Sequence, residues 1–229
     1  MRAIVCDRLS DPPSDPSVLK VEERPIPQPG PADVLIKVGA ASVNFPDVLM
    51  LSAGCQHKPE LPFIPGMEGS GTVAAVGAQV KTWRAGDKVI FGVRPGAMAE
   101  YVLVAAGGTL MRLPAGWSFA EGSAFRVGAT TAFHSLIHRA RLKRGEILLV
   151  HGASGGVGMA AVQLGSYLGA RVIATGSDDA RLAVVKANGA DDVVNYRTTD
   201  FVAVVKELTG GKGVDVVYDP VGGEVLEKA

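Results

Sequence analysis

The chain has 229 residues, 47% of them hydrophobic, and its 23 Lys and Arg balance its 23 Asp and Glu to a net charge of zero. A chain of this size buries a sizeable core as one large domain or two modest ones, and its charge balance removes the electrostatic argument for nucleic acid or an anionic membrane as the main partner. Two cysteines, Cys6 and Cys55, with no C-x-x-C pair, exclude a disulfide framework.

No stretch approaches the roughly 18 apolar residues of a membrane span, and the opening MRAIVCDRL is strand-like rather than a signal segment. The expected setting is reducing and cytoplasmic, without membrane insertion. Up to about residue 115 the chain is punctuated by proline and glycine and carries period-two patches such as DVLIKVGA, which reads as short β-strands in a barrel or sandwich. GTVAAVG, DKVIFGV and AEYVLVA are further strands, NFPDVLML a short helix opened by Pro46, and DPPSDPS and RPIPQPGP are loops. Ser118 and Glu121 form a capping-box pattern, from which a helical stretch is expected to run towards Arg141.

From Glu146 the rhythm becomes strand, glycine turn, helix, strand: EILLVHGA, SGGVGMAAVQLGSYLGA, RVIATG. Val157, Ala161, Leu164 and Leu168 fall on one helical face, as expected of a helix lying on a parallel sheet. A helix and strand follow (ARLAVVKANG, DDVVNY), then the helix FVAVVKELT and a buried-looking strand in VDVVYDPVGG, so that four parallel strands are predicted.

HGASGGVG fits two chemistries. As G-x-S-x-G through Gly152, Ser154 and Gly156 it matches a hydrolase nucleophile elbow, but His57, His134, His138 and His151 all precede the serine, and that triad order cannot be completed. As A-x-G-x-x-G through Ala153, Gly155 and Gly158 it is a variant dinucleotide loop, with Gly155 for close backbone approach and Gly158 for tight helix–sheet packing. At the tip of the second strand, where an acid would bind the ribose hydroxyls of NAD, stands Gly176, followed by Ser177. Asp178 and Asp179 read as first-turn residues of the next helix, and Ser177 and Arg181 suit a 2′-phosphate. NADP(H) is the expected cofactor. A second glycine-rich run, IPGMEGSG from Ile64 to Gly71, sits among strands and opens no strand–turn–helix unit, so its glycines are expected to serve packing, with Glu68 a candidate for a structural ion pair.

GDKV, PGMEGSG, ARLKRGEILLVHGASGGVG and NGADDVVNYR together resemble the medium-chain dehydrogenase/reductase superfamily; VNFPDVLM and KPELPFIPGMEGSG resemble its zinc-independent NADPH:quinone oxidoreductase branch, related to zeta-crystallin. The resemblance covers the whole chain. It implies an α/β protein with a GroES-like β-barrel catalytic domain over residues 1–125, followed by a partial Rossmann doubly wound parallel sheet over 126–229. Zinc-dependent members place a Cys and a His where this chain has Asn44 and Met67, neither a usual zinc ligand, so no catalytic metal is expected. His134 and His138 lie four apart but lack the H-E-x-x-H glutamate and read as surface or interface histidines.

Carried over residue by residue, Asn44 matches a family residue near nicotinamide and substrate, with a helix cap as its alternative reading, and Thr131 a threonine that contacts the cofactor. Ser154, Gly155, Gly156, Val157 and Gly158 match the pyrophosphate loop, Gly176, Ser177 and Arg181 the 2′-phosphate region, and Tyr196 an adenosine-side tyrosine. Cys55 stands where related sequences carry a tyrosine lining the substrate pocket. The implied reaction is hydride transfer to a small quinone or other α,β-unsaturated carbonyl, with enoyl-thioester or alkenal reduction, or dinucleotide binding without turnover, as alternatives. Family members run on for roughly a hundred further residues, in keeping with the ~6 strands of such a sheet; the chain is therefore expected to be a C-terminally truncated form of a homodimeric protein.

Overall fold

The structure is a computed structural model that describes residues 1–11 and 15–228, so the Pro12–Ser14 portion of the expected DPPSDPS loop lies outside the described residues. The chain divides into two compact units, Met1–Val127 and Gly128–Ala229.

The first unit is built on antiparallel strands. β1 (Arg2–Cys6) pairs with β2 (Leu19–Glu23), and a short 3-10 turn capped by Asp15 leads into the latter. β3 (Asp33–Ala41), β4 (Glu68–Val76), β5 (Lys88–Gly92), β6 (Tyr101–Ala105) and β7 (Leu110–Arg112) form one five-stranded sheet in the order β6-β3-β4-β5-β7. Val34, Ile36, Val73, Val89, Phe91, Val102 and Val104 pack into its core. The alternation expected of DVLIKVGA is interrupted: Val34, Leu35 and Ile36 are all buried, and the β3–β4 register slips between Leu35 and Ile36 and again between Val38 and Ala40. Each slip puts an extra residue into the ladder and resets which side chains face inward.

IPGMEGSG enters β4, and its glycines are packing glycines. A Cβ at Gly71 would lie 2.2 Å from the Lys37 carbonyl oxygen, and one at Gly69 would lie 2.5 Å from the Phe91 ring. Helix α1 (Phe45–Met50) carries Pro46 in its first turn, where a missing N–H is harmless. Ser118 and Glu121 make the expected capping box, the Ser118 N–H donating to Glu121 Oε2 at 2.7 Å and the Glu121 N–H to Ser118 Oγ at 3.2 Å. The helical stretch expected towards Arg141 is not continuous. It consists of α2 (Phe119–Ser123), a turn at residues 124–125, α3 (Arg126–Phe133) and a π-helical segment, His134–Arg139.

The second unit is a four-stranded parallel sheet in the order β10-β9-β8-β11: β8 (Ile147–Val150), β9 (Arg171–Gly176), β10 (Asp192–Asn195) and β11 (Val216–Tyr218). Leu148, Val150, Val172 and Ala174 face α4 (Gly156–Tyr167) and α5 (Asp179–Ala187) in one cluster, while Leu149, Ile173 and Val194 pack with Phe201 and Val205 of α6 (Phe201–Leu208) on the other face. Coverage of both faces explains the unbroken apolar runs of ILLV and RVIATG. A short α7 (Glu224–Lys228) follows β11. Among the described residues β11 pairs with β8 alone, and Val217 of the strand expected to be buried is 38% exposed.

On α4 the fully buried positions are Gly158, Ala161, Val162 and Gly165; Val157, Leu164 and Leu168 pack only partly against the core. The buried face is thus one step round from the expected stripe. A Cβ at Gly165 would lie 2.6 Å from Leu148 Cδ2, so the helix approaches the sheet too closely for larger side chains. The strand order reverses beside β8, and the carboxyl ends of β8 and β11 there border the crevice at which doubly wound sheets bind ligands.

Candidate functional site

In the second unit the candidate site grows from the end of β8. The chain turns through Gly152, whose φ of +57° lies in the left-handed region, and α4 begins at Gly156 with Gly155 as its N-cap. Gly155 supplies no capping side chain, which leaves the first N–H groups of the helix directed out of its end. A Cβ at Gly158 would lie 2.4 Å from the Gly152 carbonyl oxygen, whereas one at Gly156 would meet nothing within 4 Å. The loop is therefore closed against the sheet and open outward, which is the shape and polarity that a pyrophosphate requires. Ser154, Gly155 and Gly156 are exposed, and Val157 is half-buried over the core. Thr131 is exposed on α3, three residues after Gly128, where a Cβ would lie 3.2 Å from the Gly156 carbonyl oxygen; α3 thus runs beside the start of α4.

The tip of β9 brings the remaining cofactor candidates together. Gly176 is buried, and a Cβ there would lie 2.9 Å from Leu182 Cδ2 of α5. Asp178 caps α5, accepting the Arg181 N–H at 2.8 Å, and Asp179 accepts from Asn195 Nδ2 at 2.8 Å. Both acids are thus held by protein donors, while Ser177 is half-buried and Arg181 is exposed on the first turn of α5. The Tyr196 N–H donates to the Gly176 carbonyl at 3.0 Å, which fixes the tyrosine beside the same strand tip. Tyr196 also lines a cavity of about 530 Å³ with Arg197, Thr198, Asp200 and Phe201.

Sequence reasoning missed His151, the last residue before the loop. It is 0% exposed; its Nδ1 lies 2.8 Å from Thr175 Oγ1, and its ring stands edge-on to Phe201 at 5.0 Å. Among the described residues Nε2 has no hydrogen-bond partner. Burial pushes its pKa down, opposed by the Asp219 charge. The one signal in the sequence was a histidine directly after the apolar strand ILLV.

In the first unit Asn44 precedes α1. Asn44 is the N-cap of α1: the Asp47 carboxylate accepts the Asn44 N–H at 2.8 Å, the reciprocal half of a capping box, and the Asp47 N–H also donates to the Asn44 carbonyl at 2.9 Å. The amide Nδ2 donates to Ser42 Oγ at 3.1 Å and to Glu68 Oε1 at 3.0 Å. Glu68 is 1% exposed and also accepts from the Ser42 hydroxyl at 2.7 Å and, through Oε2, from the Val127 N–H at 2.7 Å. A hydroxyl, a carboxamide and a backbone N–H thus hold the carboxylate in place of the expected ion pair. Asp47 is 3% exposed, and its Oδ1 has no partner among the described residues; burial pushes its pKa up, reinforced by Glu68 and opposed by the backbone N–H groups of Asn44 and Gly66.

Cys55 and Met67 do not join Asn44 in this network. Both pack against the apolar cluster of Cys6, Val18, Met50, Leu51 and Phe63. His134 and His138 are exposed, with ring centroids 5.5 Å apart, and among the described residues no three His, Cys, Asp or Glu side chains come together as a metal site. No helix among the described residues is long and apolar enough to cross a membrane.

Comparison with known proteins agrees with this architecture. Residues 30–115 match the alcohol dehydrogenase GroES-like domain, and residues 156–229 match the family described as zinc-binding dehydrogenase. The quinone oxidoreductase of Pongo abelii is 37% identical over 215 residues, covering 93% of this chain and 65% of that protein. The Escherichia coli quinone oxidoreductase, solved in complex with NADPH, superposes with a TM-score of 0.90 at 33% identity, covering 100% of this chain and 68% of that one. The CurF ER cyclopropanase from the curacin A biosynthetic pathway gives a TM-score of 0.86 at 32% identity, covering 99% of this chain and 69% of that one. The chain spans about two thirds of the length of the relatives it matches. With a GroES-like unit followed by a parallel-sheet unit, and with these identities, the chain belongs to the quinone oxidoreductase family of the medium-chain dehydrogenase/reductase superfamily.

Proposed function

We propose that the chain is the greater part of an NADPH-dependent reductase that passes hydride to quinones or other α,β-unsaturated carbonyls without catalytic zinc. The observation that carries this reading is the β8–α4 turn, an outward-facing helix N-terminus walled by Gly155, Gly156 and Gly158. When bound there, the dinucleotide supplies the hydride. The residues of the chain bind and orient: Ser154 to Gly158 face the pyrophosphate, Thr131 contacts the cofactor, and Tyr196 faces the adenosine.

NADPH is favoured over NADH because Gly176 puts no acid at the strand tip, and because Asp178 and Asp179 already accept protein hydrogen bonds. Ser177 and Arg181 then meet the 2′-phosphate. A conjugated carbonyl is electron-poor without a metal to polarise it, and catalysis rests on proximity and orientation. The zinc-free reading is supported by the Asn44 amide being bonded to Glu68 and by the Met67 thioether being packed among apolar side chains. Homodimer formation, expected from the resemblance, belongs to the same proposal, and light scattering tests it.

The deciding experiment measures NADPH and NADH oxidation with benzoquinone and with crotonyl-CoA, before and after treatment with a chelator. The expected result is preference for NADPH and benzoquinone, unaffected by the chelator. Preference for crotonyl-CoA would favour enoyl-thioester reduction. Dinucleotide binding with no turnover on either acceptor would reduce the protein to a binding module. Asn44→Ala is expected to lower kcat/KM; no change would remove Asn44 from the site.

A further inference from the structure

We propose that Glu68 is a positioning residue that locks the Asn44 carboxamide in one orientation, so that the site offers its ligand a hydrogen-bond acceptor and not a donor. The inference rests on the reading of Asn44 as a ligand contact. Glu68 is a buried acceptor beneath Asn44, and its two oxygens are distinguished by their partners. Oε2 takes the Val127 N–H at 2.7 Å, while Oε1 takes the Ser42 hydroxyl at 2.7 Å and Asn44 Nδ2 at 3.0 Å. Because the Ser42 proton is directed at Glu68, Ser42 Oγ has only lone pairs left for Asn44, and it accepts Nδ2 at 3.1 Å.

The ring Asn44–Ser42–Glu68 therefore closes in one sense only. Turning the amide over would set its oxygen against Glu68 Oε1 and against the lone pairs of Ser42, two acceptor–acceptor contacts beside a buried group. Both amide hydrogens are consumed within the protein, and Oδ1 is the only polar atom the side chain has left to offer. Asn44 in this state cannot donate to the carbonyl oxygen of a quinone or enone. It holds a group carrying O–H or N–H. Such a group exists on the dinucleotide, in its ribose hydroxyls and carboxamide, and on an acceptor substrate bearing a hydroxyl.

A double-mutant cycle on the purified full chain tests this, with Glu68→Gln, Asn44→Ala and the pair, each confirmed as folded by circular dichroism. Two quantities are read: the Kd for NADPH by fluorescence titration, and KM and kcat with benzoquinone and with a hydroxylated naphthoquinone. A glutamine keeps the shape of Glu68 but has one acceptor oxygen in place of two; with that oxygen taken by the Val127 N–H, its NH2 faces Ser42 and Asn44 and releases the lock. The expected result is a loss of about tenfold from Glu68→Gln alone, and less than about twofold when Asn44 is already alanine, because the two residues act as one unit. A loss in NADPH affinity assigns the donor to the dinucleotide; a loss confined to the KM of the hydroxylated quinone assigns it to the acceptor.

Equal losses in both backgrounds would overturn the proposal while leaving Asn44 in the site. If Asn44→Ala alone changes neither quantity, the reading of Asn44 has failed, and the lock falls with it. Should Glu68→Gln not fold, Ser42→Ala, which removes one acceptor of the amide and leaves the Glu68–Val127 bond intact, is put through the same cycle with the same criteria.

Discussion

His151 lies directly beneath the glycine loop. Its ring is sealed between Thr175 and Phe201, and a proton added to Nε2 would have no acceptor among the described residues. Burial holds its pKa below the ordinary 6.5. In the interval between the lowered folded value and the unfolded one, the unfolded chain binds more protons, so stability is complete above about pH 6.5 and falls as the pH drops through that window. Thermal unfolding followed from pH 8 to pH 5 is expected to show this decline. The slope should flatten in His151→Gln, whose neutral amide can still meet Thr175. An identical slope in the variant would place the acid sensitivity elsewhere, with buried Asp47 excluded as the source because its raised pKa acts in the opposite direction. The position of His151 next to the loop was legible in the sequence, but its enclosure was not, since Thr175 and Phe201 are distant in the chain.

Among the elements, the stretch from Ser118 to Arg139 separates what local chemistry specifies from what packing imposes. The Ser118–Glu121 box was readable because both partners lie within one turn. Ser118→Ala is expected to destabilise the protein by about 1 kcal/mol in urea unfolding, and a change below about 0.3 kcal/mol would mean that α2 is held by packing alone. The break between α2 and α3 was not readable. Gly122 of α2 sits so close to Leu113, Ser70 and Ile90 that a Cβ there would lie 2.4 Å from Leu113 Cδ1, and Val127 at the start of α3 is tied to Glu68. Those are contacts with the sheet, and they set two helix positions that a single straight helix would not meet. In α4 a hydrophobicity pattern pointed to the large residues, whereas the buried face is the small-residue face, because backbone contact at Gly158 and Gly165 decides how near the helix lies.

For the whole molecule, the two units were visible as a change of rhythm, from short punctuated strands to strand–helix alternation. The cofactor proposal makes a prediction at this scale. A ligand that binds only the folded state raises stability by RT ln(1 + [L]/Kd), about 2.7 kcal/mol at a hundredfold excess over Kd. NADPH is therefore expected to raise the unfolding temperature in a dose-dependent way, and NADH to do so only at higher concentration. Equal shifts by the two at equal concentration would show that Ser177 and Arg181 do not read the 2′-phosphate.

The strand–helix alternation of the second unit, its parallel sheet, the glycine loop and the absence of Cys and His at positions 44 and 67 followed from the sequence alone, whereas β2, β7 and α7 did not. Each depends on residue type and short-range spacing, through backbone freedom at glycine, hydrophobic period and ligand chemistry. Tertiary structure alone decided which way the Asn44 amide faces, that Glu68 is held by neutral donors, that Met67 and Cys55 belong to an apolar cluster, and that His151 is sealed. Each of those outcomes needs at least one partner distant in the chain, such as Glu68 for Asn44 and Thr175 for His151, both 24 positions away, and no local pattern encodes where such partners meet.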